Sequence, residues 1–342
     1  MRREKGVSGK YKWPLRRKII VILCLIYISG FSTFLFLFYG PIYKFKEFWI
    51  TSAMTTMSHR YLATWFYSDK FIDKVLKNNS IIEIDETSDP SQINFRKYTK
   101  TIYRNKYEKE ILQHDQDDLY KLIEVKGYLV AIYDPSRIKI ATSLYLGKRG
   151  ESILTVSERE KAVVAMNASG FYDPDWNSNG AIPHGTVISN GQIVSDYADA
   201  RMGGGFIGFT KENKLVLGNM SKEEALKIGY RDAIEFGPYL IVNGKRSFIK
   251  GNGGWGIAPR SAIGQRKDGI VLFLVINGRI ASSIGADMVD LCDIMENYGA
   301  YNAANLDGGS SSELVIRQKI INTPVAGGEN GLRNMATFWI VK

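Results

Sequence analysis

Residues Ile19 to Tyr39, IIVILCLIYISGFSTFLFLFY, form a run of 21 without one charged side chain. At about 1.5 Å of rise per residue, a helix of that length spans the roughly 30 Å hydrocarbon core of a bilayer. Eight basic residues precede it (Arg2, Arg3, Lys5, Lys10, Lys12, Arg16, Arg17 and Lys18) against the single acid Glu4. The positive-inside bias then keeps the N-terminus cytoplasmic and sends residues after about 40 across the membrane. The run is longer than the apolar region of a cleaved signal peptide, and GPIYKFKEFW follows it with no small-residue cleavage pattern. It reads as an uncleaved single-pass anchor carrying an extracytoplasmic domain.

This segment also explains the charge. The chain of 342 residues carries a net +10, which taken whole suggests nucleic acid. Residues 1–46 hold ten basic side chains and one acid, so residues 47–342 hold 35 basic and 34 acidic ones. The part that folds outside the membrane is almost neutral, and no nucleic-acid partner is expected. Cys24 lies in the apolar run, leaving Cys292 alone beyond it. Neither an intramolecular disulfide nor a cysteine metal site can form there.

The chain therefore divides into a basic tail (1–18), a transmembrane helix (19–39), a juxtamembrane helix and linker (40–104) and a main domain (105–342). Between Phe48 and Lys77, Met54, Met57, Tyr61, Leu62, Trp65, Phe66, Phe71, Ile72 and Leu76 recur at helical spacing, which predicts an amphipathic helix lying near the membrane or packing on the main domain, read as a stalk rather than a partner-binding helix. Residues 78–104 are polar, carry the turn-initiating pair Asp89-Pro90, and read as a linker. Beyond Lys106 short apolar strands alternate with turns. Gly127–Tyr133 and Arg137–Thr142 flank Asp134-Pro135-Ser136 as one expected hairpin; Ser261–Gln265 and Ile270–Ile276 flank Lys267-Asp268-Gly269 as another. A capping box at Ser221-Lys222-Glu223-Glu224 opens one helix. Met288, Leu291, Cys292, Met295 and Tyr298 mark a second, expected to open from Ser282-Ser283-Ile284-Gly285 and stopped by Gly299. The pattern predicts an α+β domain with mixed or antiparallel sheets and flanking helices.

Common catalytic signatures are missing: the sequence has no H-E-x-x-H, Walker A, C-x-x-C or G-x-S-x-G. Gly203 to Gly208 satisfies G-x-G-x-x-G without the strand–turn–helix context, and reads as a glycine-rich turn or bulge. The segment DPDWNSN (173–179) offers oxygen ligands for Ca²⁺ but lacks EF-hand spacing, so it reads as a polar turn and no metal or cofactor is expected. The most loaded segment is Asn305-Leu306-Asp307-Gly308-Gly309-Ser310-Ser311-Ser312. There a strand ends in a carboxylate followed by two glycines and three hydroxyls. Paired glycines permit positive φ and a close approach to the main chain, which suits an anion held beside an acid; a solvated Asp-Gly hairpin turn fits the segment equally well.

Other segments join it: Asn167 with Gly170-Phe171, His184-Gly185, Gly237-Pro238 with Leu240, Arg260 with Gly264, Asp268-Gly269, Gly278-Arg279, Ser283 with Gly285, and Arg333. Together these resemble the phosphodiester glycosidase family over roughly residues 125–342. The pattern departs at Ala168 and Ser169, where the family carries glycine, at Ser310, which replaces a third glycine, and around Arg333. The resemblance implies cleavage of a sugar-1-phosphodiester, of the GlcNAc-1-phosphate type, at the anomeric C–O bond. Bacterial members associated with exopolysaccharide imply a glycan or sugar-phosphate polymer as substrate. A phosphate leaving group needs electrostatic capture more than an acid, which fits Arg260, Arg279 and Arg333, aided by the Gly308 and Gly309 amides and the Ser310, Ser311 and Ser283 hydroxyls. An oxocarbenium-like carbon needs a carboxylate, for which Asp307 is the first choice and Glu235 or Asp173 the second. Asn167 suits a sugar hydroxyl or acetamido group, and His184 suits a phosphate or a proton. Each has an ordinary alternative: Arg279 paired with Asp268 or Asp287, His184 buried as a structural residue, Glu235 as an exposed acid. A non-catalytic glycan-binding or assembly factor in exopolysaccharide biosynthesis is the competing function.

Overall fold

The structure, a computed structural model, describes residues 13–56, 59–95, 110–114, 119–172, 179–197, 204–325 and 331–342. The chain forms two compact units, Met1–Trp49 and Ile50–Lys342. In the first, Leu15–Tyr39 is one helix, long and apolar enough to cross a membrane. It runs one turn further toward the N-terminus than the uncharged run, because Arg16, Arg17 and Lys18 are good helix formers.

The expected stalk helix is broken. Tyr43–Met54, Tyr61–Thr64 and Asp69–Asn78 are separate helices, and from Ile50 onward they bury Ile50, Ala53, Ala63, Ile72 and Val75 against one another. The apolar spacing belonged to three helices sharing one small core. Residues expected to be a linker also fold onto the domain: Ser80–Ile82 pairs with Phe248–Lys250, and Ser88 N–H bonds to Leu217 O at 2.8 Å.

All strand pairings among the described residues are antiparallel, within three large sheets and one two-stranded ribbon. The eight-stranded sheet runs in the order Lys245–Arg246, Tyr239–Val242, Ala300–Asn305, Arg260–Arg266, Val271–Ile276, Tyr128–Ile132, Tyr120–Glu124 and Glu110–His114. One five-stranded sheet is built around Gly205–Thr210, Tyr230–Phe236 and Gly185–Ser189; the other is built around Leu314–Ile316, Val164–Asn167 and Thr337–Val341. Each strand sends alternate residues to opposite faces. Val271, Phe273 and Val275 enter a core shared with Ile207, Phe209 and Ile234 of one sheet and with Met166 and Trp339 of the other. Leu272, Leu274 and Ile276 face instead the helix Met288–Asn297, through Met288, Leu291, Cys292 and Met295. The outer faces of the two smaller sheets are covered in the same way by Ile153–Arg159 and Lys222–Ile228. With both faces buried, Val271–Ile276 is continuously apolar, whereas its neighbours Arg260–Arg266 and Ala300–Asn305 bring buried polar side chains such as Ser261, Gln265, Asn302 and Asn305 into the sheet.

The hairpin at Lys267-Asp268-Gly269 and the capping box at Ser221 are present as expected. The helix Met288–Asn297 is capped by Asp287, whose carboxylate accepts from Asp290 N–H, rather than by the serines before Gly285. The expected first hairpin does not form. Tyr128–Ile132 pairs with Val271–Ile276 and Tyr120–Glu124, whereas Ile138–Thr142 crosses to another sheet and pairs with Thr337–Val341. Asp134 caps a short 3₁₀ turn between them, so the Asp-Pro-Ser signal marks a change of sheet. The GGGFIG segment is not the expected glycine-rich turn or bulge: from Gly205 on it is a strand paired on both sides, and only Gly204 before it takes a turn-like backbone. Gly204 has φ +108°, and a Cβ there would come 2.4 Å from the Phe236 carbonyl.

Candidate active site

Strand register gathers the site. In the eight-stranded sheet Ala262 lies opposite Asn305, so two residues further along, Arg260 comes beside Asp307. The neighbouring sheet delivers Asn167 at the end of Val164–Asn167. Asn167 is fully buried and joins the two sheets. Its Nδ2 donates to Asp307 O at 2.6 Å, while its Oδ1 accepts from Ser261 Oγ at 2.7 Å and from Glu313 N–H at 3.3 Å. Asp307 N–H in turn donates to Ala168 O at 3.2 Å. These bonds give Asn167 a structural role between the two sheets and use its carbonyl oxygen and one of its two Nδ2 hydrogens.

The turn itself is a half-buried carboxylate backed by a 3₁₀ turn, Gly309–Ser311. Gly309 alone of the two glycines adopts positive φ, at +62°. The amides expected to face a ligand are used internally: Gly308 N–H donates to Asp307 Oδ1 at 3.0 Å, and Gly309 N–H donates to Pro259 O at 2.8 Å. What the glycines supply is room. A Cβ on Gly308 would sit 3.6 Å from Arg260 Nη1, and one on Gly309 would sit 3.6 Å from Arg279 Nη1. The next residue, Ser310, accepts from Arg333 Nη1 at 2.7 Å. Three successive residues of the turn are thus each met by a different arginine.

The arginines are held differently. Arg260 is buried; its Nε donates to Ala286 O at 3.2 Å, and its Nη2 donates to the carbonyls of Gly256, at 2.8 Å, and Trp255. Burial, with Arg279 nearby, lowers its pKa to about 10. The Arg279 guanidinium takes no hydrogen bond among the described residues, its residue has φ +56°, and burial lowers its pKa as well. The expected alternative partners are engaged elsewhere: Asp268 bonds to Arg266, and Asp287 caps its helix. The Arg333 guanidinium lies 4.6 Å over the Phe171 ring. Burial raises the Asp307 pKa against the opposing pull of Ser311, Arg333, Gly308 and Arg260. A carboxylate so poised is a better base than a free one. The Ser283 hydroxyl donates to Asn277 O at 2.7 Å, in the loop that carries Arg279.

His184 and Glu235 form a second corner on the other five-stranded sheet. His184 is 9% exposed and its N–H donates to Gly170 O at 2.9 Å; a Cβ on Gly170 would lie 2.6 Å from its ring. Glu235 is half-buried, packed so closely on Gly185 (φ +61°) that a Cβ there would meet its Oε2 at 2.3 Å. The segment Asn167–Phe171 touches both groups, with Asn167 and Ala168 on Asp307, Gly170 on His184 and Phe171 under Arg333. Asp173 and most of the Ca²⁺-candidate segment lie outside the described residues. No group of three or more His, Cys, Asp or Glu side chains gathers among the described residues.

Two acids were missed in the sequence. Glu313 is fully buried; its Oε1 accepts from Arg333 N–H at 2.7 Å, its Oε2 has no hydrogen-bond partner among the described residues, and burial pushes its pKa up to about 8. Its signal was present in the sequence, since it closes the Asp-Gly-Gly-Ser run. Glu83 accepts from Tyr239 N–H at 2.7 Å, just after Gly237-Pro238, and burial raises its pKa. Its place in a polar stretch gave no sign of this.

Residues 160–342, more than half of the chain, match the family model described as phosphodiester glycosidase. The SPbeta prophage-derived uncharacterized protein YomE of Bacillus subtilis (strain 168) is 32% identical over 215 residues, covering 60% of this chain and 32% of that protein. The chain thus spans about a third of that relative's length. Among solved structures, the catalytic domain of zebrafish N-acetylglucosamine-1-phosphodiester alpha-N-acetylglucosaminidase, auto-inhibited by its pro-peptide, has a similar fold. Its TM-score is 0.55 at 19% identity, covering 75% of this chain and 87% of that one.

Proposed function

We propose that this chain, which belongs to the phosphodiester glycosidase family, hydrolyses a sugar-1-phosphodiester at the anomeric C–O bond. The observation that carries the reading is the meeting of Arg260, Arg279 and Arg333 with Gly308, Gly309 and Ser310, directly after Asp307. A diester carries one negative charge and the departing monoester approaches two, so charge builds on the phosphate as the bond breaks. Guanidinium groups held beforehand by backbone carbonyls and an aromatic face stabilise that charge without reorganising. Burial and then the neighbouring Arg279 depress the proton affinity of Arg260, and an anion beside them offsets that penalty.

In the proposed step the C1–O bond breaks with its electron pair leaving on the phosphate oxygen. Water oxygen bonds to C1, and its proton passes to Asp307. His184 and Glu235, across Gly170, contact the sugar. With the apolar helix Leu15–Tyr39 as an anchor and the N-terminus cytoplasmic, the domain would meet cell-envelope glycans bearing sugar-1-phosphate linkages. Hydrolysis in ¹⁸O-water tests the reading: label in the released sugar supports it, and label in the phosphate refutes it. Binding of a GlcNAc-1-phosphate methyl diester with no turnover would favour a glycan-binding assembly role instead.

A further inference from the structure

Arg260 is positioned by a loop, and that loop is held in turn by the helix Tyr43–Met54. The carbonyls that accept from Arg260 Nη2 belong to Trp255 and Gly256, in the segment Gly251-Asn252-Gly253-Gly254-Trp255-Gly256-Ile257. Four glycines leave such a segment little side-chain packing of its own, so its shape depends on what grips it. Asn252 supplies one grip: its Nδ2 donates to Thr51 Oγ1 at 2.8 Å, its N–H donates to Asn79 Oδ1 at 3.0 Å, and its Oδ1 accepts from Gly254 N–H at 3.0 Å. Ile257 N–H donates to Ser52 Oγ at 3.1 Å, and Thr55 Oγ1 donates to Trp255 O at 3.2 Å. Gly256 has φ +60°, and a Cβ there would fall 2.5 Å from Ser52 Cα, so helix backbone and loop backbone are in direct contact.

We propose that Thr51 and Ser52, on the helix Tyr43–Met54, together with Asn252, are positioning residues for the Arg260 guanidinium. They hold the two carbonyls that aim it at the Asp307 turn. The inference rests on the phosphate-binding reading of Arg260 given above. Arg260 Nη1 faces Gly308 only while Nη2 is tied to Trp255 and Gly256 and Nε to Ala286. Releasing the loop frees Nη2 to swing and removes the fixed aim, although Arg260 itself remains. The segment that follows the apolar helix in sequence thereby becomes part of the site's construction.

A double-mutant cycle on the full-length, detergent-solubilised chain tests this, using inorganic phosphate binding by calorimetry and turnover of a GlcNAc-1-phosphate methyl diester. Thr51→Val and Asn252→Ala are each expected to weaken phosphate binding and lower kcat/KM by about 5–20-fold when Arg260 is present, as expected for loss of a site's preorganisation. In an Arg260→Gln background the same changes should cost less than about twofold, because coupled residues are non-additive. Thr51→Ser, which keeps the hydroxyl, should restore the parent values. Thr51→Val keeps the side chain's shape and removes the hydroxyl that accepts from Asn252, so it reports even where Asn252→Ala unfolds the loop. Equal losses in both backgrounds, or none in either, overturn the proposal while leaving the parent's hydrolysis intact. Coupling in phosphate binding without turnover in the parent overturns the reaction and keeps the positioning. A parent that neither binds phosphate nor turns over the diester overturns both.

Discussion

The Asp307–Ser311 turn and the His184–Glu235 corner hang from the same five residues, Asn167 to Phe171, yet they are built from opposite materials. The turn gathers three arginines around one acid: Arg260 is braced by carbonyls, Arg333 by a ring and a hydroxyl, and Arg279 lies against Gly309 with no hydrogen bond to its guanidinium among the described residues. The corner sets one carboxylate and one imidazole against glycines whose missing Cβ atoms let the side chains close in. The difference teaches a division of labour. On the reaction proposed above, positive charge is concentrated where the phosphate would leave, and a carboxylate with an imidazole lies where sugar hydroxyls would be discriminated.

The largest test of that division is Asp307→Asn. Turnover should fall by about 10³-fold or more while the diester still binds, a loss confined to kcat because the base is gone and the arginines remain. The pH profile adds a sign. The base works when ionised, and burial raises its pKa. Activity should therefore fall with decreasing pH on a limb lying above the ordinary aspartate value of about 3.9. A limb at or below that value would move the base elsewhere.

Next comes Arg260→Gln, with an expected loss of about 10²-fold in kcat/KM, of the size seen when one preorganised donor to developing charge is removed. Inorganic phosphate binding should weaken with it. His184→Asn and Glu235→Gln sharpen the contrast from the other side. Each should raise KM for the diester roughly tenfold, the loss expected for a removed buried hydrogen bond, and leave inorganic phosphate affinity unchanged. If they weaken phosphate as much as Arg260→Gln does, the two regions do one job and the division fails.

How much of this was legible in the sequence follows the same line. The Asp307 turn was visible because its chemistry is local: a carboxylate, two glycines and serines in one stretch. The apolar run, the second hairpin and the helix Met288–Asn297 were visible for the same reason, since spacing and turn residues are local signals. What failed was long-range. Asp134-Pro135-Ser136 looked like a hairpin because turn chemistry does not say which sheet the next strand joins. Asn167 read only as a ligand because a sequence does not show that Ser261, Glu313 and Asp307, from three other segments, bond to its amide. Glu83 and the helix at Thr51 contribute contacts across great sequence separation, which no periodicity records.

The smallest expected effect concerns Glu313, which sits behind the turn and braces Arg333 through its main chain. Its carboxyl is ordinarily half-protonated near 4.5 and is pushed up to about 8 in the folded protein. Below about 4.5 both folded and unfolded chains hold the proton. Between that point and about 8 the unfolded chain has lost it and the folded chain keeps it, so stability falls as pH rises through this window. Above it the penalty is complete. Glu313→Gln keeps the shape and the acceptor for Arg333 N–H but removes the titration. Thermal unfolding of the two full-length proteins should therefore nearly coincide near pH 4.5, with the Gln variant melting roughly 3–6 °C higher at pH 8, a difference of about a few kcal/mol. A parent that instead gains stability relative to the variant as pH rises would mean that Glu313 is ionised and paired with the Arg333 guanidinium. The turn would then hold two negative groups against its three arginines, and the phosphate side would lose much of the positive charge that sets it apart from the His184–Glu235 corner.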